Sequence, residues 1–386
     1  MGRKKKRQKK TNVPILRADG TYEMKVSLGK INDRNIYTKL YAPTNDTLMA
    51  RYYQWKEKYS FFDLKPESLM PMSEWGEYWL NEIKGPLIAI STKANYGYFI
   101  KHYINPYLGD KALIKITTED IERMAAKLSI MKRLKKSNRK RGLKDSTINE
   151  ILIVLKQLFN YAIGQGYIVE NPYDNVKRIH AAAYVASAYN LDEVKKYLSV
   201  VKQDERWSDF FHLEFFSGLR KSEICALKWS DYNEKTGELF VKRIVKYYKG
   251  ECIVSGTKTR AGKRLIILPQ IATEILNKRK ENSYSEWVFP KFNDVKLPLD
   301  PAGISDKHKQ FVKKANIRYI RFHDIRHTFA TQSLINGVDI QTLSMIMGHA
   351  EPTITLTTYT HNNMDLQRKA SEFTCDYAKR ILGGLL

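Results

Sequence analysis

Cysteine is nearly absent from this chain: Cys225, Cys252 and Cys375 are the three in 386 residues, and no Cys-x-x-Cys pair occurs. An odd, scattered set argues against a disulfide framework and a zinc ribbon, and it fits a reducing cytosol. No apolar run approaches the roughly 20 residues that span a bilayer, so a membrane helix is not expected. The N-terminus is basic but has no apolar stretch behind it, and it does not read as a secretory signal. A Walker A loop is missing too. The nearest match, residues 256–263, sets its glycines one residue too far apart and has no Ser or Thr after the lysine. Acidic residues are also in short supply, 41 against 66 basic ones, for a net charge of +25. An excess of that size points to a polyanionic partner, either nucleic acid or an anionic surface.

The length suggests two or three domains with material for real cores. Residues 1–10 carry seven Lys or Arg, Lys4, Lys5 and Lys6 among them, and self-repulsion keeps such a tail unfolded until it meets phosphate. Residues 11–62 read as a small domain. Asp19-Gly20 is a hairpin turn signal. Tyr22, Met24, Val26 and Leu28 alternate with polar residues, and so do Ile36, Thr38 and Leu40 after a turn near Asn32-Asp33. A helix bearing Leu48, Tyr52, Trp55 and Tyr59 completes a three-stranded sheet plus helix. The polar row of that sheet suits either a DNA groove or plain solvent.

Residues 71–168 read as helical. One helix opens at Ser73, and a second at Ser91 or Thr92 ends near Asn105-Pro106. A third starts at Thr117 and Asp120. A capping box at Thr147-Ile148-Asn149-Glu150 opens the clearest stripe, Ile148 to Ala162. Between the last two lie residues 132–144, with eight Lys or Arg in thirteen. Within this run Arg133, Lys135, Lys136, Arg139, Lys140 and Arg141 read either as a flexible charged loop or, the better fit in a domain with few acids nearby, as a segment that lies along a phosphate backbone. A linker over 171–189 leads to a domain at 187–386. Asn190 and Glu193 cap its first helix, and its strand-like middle, 239–268, turns at Lys249-Gly250 and Ala261-Gly262. The fold class expected is multidomain α+β: a small sheet-and-helix domain, a helical domain, and a mainly helical domain with a small antiparallel sheet.

The last domain carries the chemistry. Arg220 follows Gly218 near a helix start, with Glu223 placed to orient its guanidinium, whose rigid fork matches phosphate oxygens. His323, Arg326 and His327 share a helix face. Zinc is not expected there, because the pair lacks a third ligand and an arginine stands beside it. His349 follows Gly348, and Tyr359 lies ten residues beyond it. Singly, each of these residues has an ordinary structural explanation.

In order, Ser-Gly-Leu-Arg-x-Ser-Glu, His-Asp-x-Arg-His-Thr, Gly-His and Thr-Tyr-Thr-His resemble the tyrosine recombinase family, in particular its phage and conjugative-transposon integrase branch. The match runs from Arg220 to His361. The resemblance implies an arm-site-binding domain, a helical SAM-like core-binding domain and a catalytic domain. It implies that Arg220 and Arg326 hold the non-bridging oxygens of a scissile phosphate and that Tyr359 is the nucleophile. His323 becomes the general base, His349 a hydrogen-bond donor, and Glu223 a positioning residue. Lys258, with Lys263 as its rival, becomes the acid that protonates the leaving 5′-oxygen in a hairpin between two strands. Neither a cofactor nor a metal is implied. The implied partners are double-stranded DNA at core and arm sites, a tetramer of the chain itself on DNA, an excisionase and a DNA-bending host protein. The expected location is the cytoplasm, nucleoid-associated when bound to DNA, with no membrane.

Overall fold

The computed structural model describes residues 11–130, 142–177, 179–180, 187–248, 250–257 and 259–349. The chain divides into two units, 1–183 and 184–386.

The first unit begins with an antiparallel three-stranded sheet, β1 (Pro14–Leu16), β2 (Tyr22–Ile31) and β3 (Arg34–Ala42), in the order β1-β2-β3. Alternation decides its faces. Met24, Val26 and Ala42 are buried with Leu48 of α1 (Asn45–Tyr59). Lys25, Lys39, Tyr37 and Tyr41 line the other face, where Lys25 Nζ sits 3.7 Å from the Tyr37 ring centroid. Asn32 and Asp33 both take positive φ at the β2–β3 turn, as the two-residue hairpin expected there requires.

A helical bundle follows: α2 (Met72–Tyr78), α3 (Ile90–Phe99), α4 (Asn105–Leu108), α5 (Thr118–Ile130) and α6 (Asp145–Gly164). Trp75, Trp79, Ile104, Leu155 and Phe159 lie in its core. Two boundaries differ from the sequence expectation. The second helix does not stop at Asn105-Pro106 but runs through a π turn, Ile100–Ile104, into α4. Pro106 falls in the first turn of α4, where a missing N–H costs little. α6 opens at Asp145, not at Thr147. Thr147 N already bonds the Lys144 carbonyl at 2.9 Å, so the expected capping box lies inside the helix. By contrast, Thr117 and Asp120 cap α5 reciprocally, at 3.1 and 3.3 Å.

The second unit is mainly helical: α7 (Leu191–Val201), α8 (Ser208–Ser217), α9 (Lys221–Ile224), α10 (Gln270–Glu281), α11 (Ile304–Lys314), α12 (His323–Ile335) and α13 (Ile340–Met347). α8 is apolar nearly all round, and Phe210, Phe211, Leu213 and Phe215 are buried where it packs on α10 and α12. The strand-rich middle is not one sheet but two ladders. β4 (Glu238–Val241) pairs with β7 (Arg264–Ile267), and β5 (Arg243–Tyr248) pairs with β6 (Glu251–Gly256). A short pair, β8 (Pro290–Lys291) and β9 (Asp294–Pro298), follows α10. The stretch between β6 and β7, expected as a hairpin, therefore connects two different ladders. A 3-10 turn, Arg260–Gly262, redirects the chain.

Candidate active site

The site grows from a tight turn. α8 ends at Ser217, and Gly218 enters the left-handed region at φ 62°, with its N–H on the Glu214 carbonyl at 3.2 Å. A Cβ at position 218 would stand 2.3 Å from the Phe329 ring, so only glycine fits. Two residues on, Arg220 has extended backbone and precedes α9. Glu223 reaches back to it: Arg220 N donates to Oε2 at 3.0 Å, and Arg220 Nη1 to Oε1 at 2.7 Å. The helix start that receives the arginine therefore also aims it.

Arg326 comes from α12 and is 1% exposed. Its Nη1 donates to the Gly218 carbonyl at 2.6 Å, and its Nη2 donates to the carbonyl of Met347. On the same helix the His323 and His327 rings are perpendicular, with centroids 5.3 Å apart. Asp324 is buried beneath them, accepts from Arg321 N at 2.9 Å and lies 3.9 Å from His327 Nε2.

α13 delivers His349. Its C-terminus closes as a Schellman motif: Gly348 N bonds the Met345 carbonyl at 3.0 Å, and His349 N bonds that of Ser344 at 3.1 Å, with Gly348 at φ 63°. The next carbonyls face arginines. Besides Arg326 on Met347, Arg220 Nη2 donates to the Gly348 carbonyl at 3.2 Å, and Arg264 Nε to that of Ile346 at 2.6 Å.

The electrostatics follow from this crowding. Burial would raise the Glu223 pKa, but the Arg264 hydrogen bonds and charge, together with Arg220, outweigh it and hold the carboxyl at about 2. His349 falls to about 4, first through desolvation and then through Arg326 and Arg220. His323 also falls to about 4, through desolvation first and then through His327, Arg326 and Arg220. The His323 side chain stands at the exposed rim of the site, with the Arg326 and Arg220 cations close enough to disfavour its charged form. Both imidazoles are neutral at pH 7.

The structure thus gathers Arg220, Glu223, His323, Arg326 and His349 into one cluster. Lys258 and Tyr359 lie outside the described residues, as do Lys4, Lys5, Lys6, Arg133, Lys135, Lys136, Arg139, Lys140 and Arg141. On either side of position 258, Thr257 Oγ1 donates to the Thr259 carbonyl at 3.1 Å. Lys263 directly follows the 3-10 turn.

Two site residues escaped sequence reasoning. Arg264 occupies a buried position of β7, while Leu265 and Ile267 face outward. A charged residue on the inward register of a strand was the available signal. Glu214 is a buried acid in the largely apolar helix α8, 1% exposed, and its Oε2 has no hydrogen-bond partner among the described residues. Burial pushes its pKa well above the ordinary carboxyl range, against the pull of Arg326.

A mixed sheet-and-helix head, a helical bundle and a helical domain built on paired arginines and histidines define a class of DNA strand-transfer protein. Residues 188–365 match the phage integrase family, and residues 72–129 match the phage integrase N-terminal SAM-like domain. The chain belongs to the phage integrase family of tyrosine recombinases. It is 26% identical over 296 residues to the ICEBs1 integrase of Bacillus subtilis, spanning 73% of this chain and 78% of that protein. It is 28% identical over 248 residues to a XerC-like tyrosine recombinase of Caldanaerobacter subterraneus, spanning 57% of this chain and 63% of that protein. In fold it resembles the Tn1549 transposon integrase solved with a circular intermediate DNA, at TM-score 0.67 and 21% identity over 79% of this chain and 99% of that one. It also resembles a lambda integrase dimer bound to a core site, at TM-score 0.58 and 20% identity over 92% and 96% of the two chains.

Proposed function

We propose that this chain is a site-specific DNA recombinase that integrates and excises a mobile element through a 3′-phosphotyrosine intermediate. The observation that carries this reading is the convergence of Arg220 and Arg326 on one helix end, with two neutral histidines beside them.

In this mechanism a scissile phosphate docks against Arg220, the more exposed arginine at 34% of its side chain, with Arg326 behind it. Their charge stabilises the five-coordinate transition state. The Tyr359 oxygen attacks phosphorus while the bond to the deoxyribose 5′-oxygen breaks. The phenol pKa is roughly 10, so its proton must pass to a base. His323, neutral and with a lone pair available, takes that role, and the charge of the phosphate offsets the cations that depress its basicity. His349 donates to a phosphate oxygen. Lys258 protonates the departing 5′-oxygen, with Lys263 as the alternative. A second 5′-hydroxyl then attacks the phosphotyrosine and releases Tyr359. The ester energy is conserved, so this scheme needs no nucleotide cofactor.

The sheet face carrying Lys25 and Lys39 suits an arm site, and residues 132–144 suit the backbone of a core site. The segments are assigned as a basic tail at 1–10, an arm-binding domain at 11–62, a core-binding domain at 71–168 and a catalytic domain at 187–386. The lambda integrase has been solved as a dimer on a core site and as a tetramer on a Holliday junction. By that analogy the working form here is a tetramer on DNA. An excisionase and a DNA-bending host protein complete the proposed partners. No described helix is long and apolar enough to cross a membrane. Independently of that, the proposed DNA chemistry implies work in the cytoplasm, in association with the nucleoid when the chain is bound to DNA.

A nicked duplex spanning the end of the source element tests this. Wild-type chain should be trapped covalently on it in the presence of a chelator, and Tyr359→Phe should bind but form no adduct. Binding without an adduct from the wild type would favour a regulator that kept the fold without catalysis. Relaxation of plasmid without dependence on that end sequence would favour a type IB topoisomerase.

A further inference from the structure

We propose that Arg264 is a positioning residue for strand transfer: it locks Arg220, the His349 turn and the lysine-bearing connection into one rigid body. The proposal rests on the phosphoryl-transfer reading of this site.

Arg264 opens β7 and is 8% exposed. Its Nε, Nη1 and Nη2 all donate to partners inside the protein. Nη2 donates to Glu223 Oε2 at 3.0 Å, and Nη1 to Glu223 Oε1 at 3.2 Å and to the Gly262 carbonyl at 3.2 Å. Nε donates to the Ile346 carbonyl at 2.6 Å. With these donors turned inward it acts through its neighbours rather than on substrate.

Each bond ends on a different functional piece. Glu223 is the carboxylate that aims Arg220. Ile346 lies in the last turn before His349. Gly262 closes the 3-10 turn of the connection that carries position 258. The Schellman closure leaves the carbonyls of 346, 347 and 348 outside the helical pattern. They go in order to Arg264, Arg326 and Arg220. Three guanidinium groups at the negative end of a helix are favoured by its dipole, but they repel one another. Glu223 lies between two of them as the counter-charge. Gly348 is required for this approach, because a Cβ there would stand 2.8 Å from Arg264 Nη1 and 2.9 Å from the Ala261 carbonyl.

A lysine at 264 keeps the charge but cannot bridge Glu223, Ile346 and Gly262 together. On the full-length chain, Arg264→Lys should lower single-turnover adduct formation by about 10²-fold, the scale of a misplaced reacting group, while affinity for the duplex changes less than about threefold. A second substrate carries a neutral methylphosphonate at the scissile position. It lessens the need for a correctly aimed Arg220, so the deficit of Arg264→Lys should shrink to under about tenfold. A third measurement needs no activity. Hydrogen exchange of residues 343–349 in the free protein should quicken in Arg264→Lys, while exchange in α8 stays unchanged. Adduct formation at the wild-type rate, an equal deficit on both substrates, or unaltered exchange at 343–349 would overturn the proposal. Failure of the wild type itself to form an adduct counts against the recombinase reading instead, and the exchange measurement then still decides whether the lock exists.

Discussion

Arg326 donates through Nη1 to the carbonyl oxygen of Gly218 at 2.6 Å, fastening the helix of the second arginine to the turn that precedes the first. Its other Nη reaches the carbonyl of Met347. The side chain is therefore a fold element as well as a candidate phosphate ligand. A lysine here reaches one carbonyl at most and leaves the other buried without a donor, at a cost of about 1–3 kcal/mol. Arg326→Lys is expected to lower the melting temperature by several degrees, at about 2–4 °C per kcal/mol for a domain of this size, and to suppress adduct formation. Thermal denaturation beside single-turnover cleavage measures both. An unchanged melting temperature would mean that these two backbone bonds contribute nothing to stability.

Glu214 gives a stability signature on the alkaline side. Its folded-state pKa is raised, chiefly by burial, above the ordinary 4.5. Between those two values the folded state holds a proton that the unfolded chain has lost. Stability from this group is complete below about 4.5 and declines as pH rises toward the folded pKa. Glutamine has nearly the same shape and cannot ionise. The melting-temperature difference between Glu214→Gln and wild type should therefore grow in favour of the variant from pH 5 to pH 8. A difference that stays flat across that range would show that the carboxyl is not held protonated.

The histidines give the opposite signature on the acid side. His349 and His323 sit at about 4 in the folded state, against roughly 6.5 when unfolded. Between those values the unfolded chain binds protons that the folded state refuses, so stability falls as pH drops through that window. His349→Gln should flatten the decline between pH 6.5 and 4. Glu223 contributes a further loss at lower pH, between 4.5 and about 2, because its carboxyl is held down by Arg264 and Arg220. Imidazole NMR titrations check the first part directly. Addition of the cognate duplex should raise both histidine pKa values, since a phosphate lends negative charge to the cluster. A fall on DNA binding would place the phosphate elsewhere.

How much of this was legible in the residues alone depended on whether the signal was local. The turns at Asp19-Gly20 and Asn32-Asp33, the alternation in β2 and the Asn190–Glu193 cap are dictated within a few residues, and they appear as expected. The ends of α4 and α6 did not, because tertiary context carried a helix past Pro106 and extended another upstream of Thr147. At the site, Arg220 and Glu223 are three residues apart and could be paired by eye. The carbonyl partners of Arg326 lie 108 and 21 residues away in sequence. No periodicity announces such bonds. Arg264 was missed for the same reason. Its partners lie on α9, on the end of α13 and two residues upstream of it, and only the fold brings them to one guanidinium.

The basic run 132–144 has a simple quantitative test. On duplex DNA, every phosphate that a side chain neutralises adds about 0.9 to the steepness with which log affinity falls against log salt. Changing Arg139, Lys140 and Arg141 to alanine should reduce that slope by up to roughly 2.7 on the same scale if all three meet phosphate. Affinity should fall most at low salt, and cleavage at saturating DNA should keep its rate. Titrations at several salt concentrations measure the slope. A slope equal to that of the wild type would assign the run to solvent.

The polar face of the N-terminal sheet makes a separable claim. Lys25 lies over the Tyr37 ring, and Lys39 is paired with Glu23 at 2.9 Å, so both side chains are held in place rather than waving in solvent. A pre-ordered basic and aromatic face suits a groove, since less side-chain entropy is lost on docking. If this face reads a second class of site, Lys25→Ala with Lys39→Ala should weaken binding to that class and leave core-site cleavage intact. Deletion of residues 1–62 should do the same more completely. Lys39 is exposed and Lys25 half-buried. Both lie on the face opposite the buried Met24, Val26 and Leu48, so the double variant should keep its melting temperature within about a degree, as surface changes ordinarily do. Equal losses of core cleavage and second-site binding would show that the sheet serves folding or general affinity, and the arm-binding assignment would fall with it.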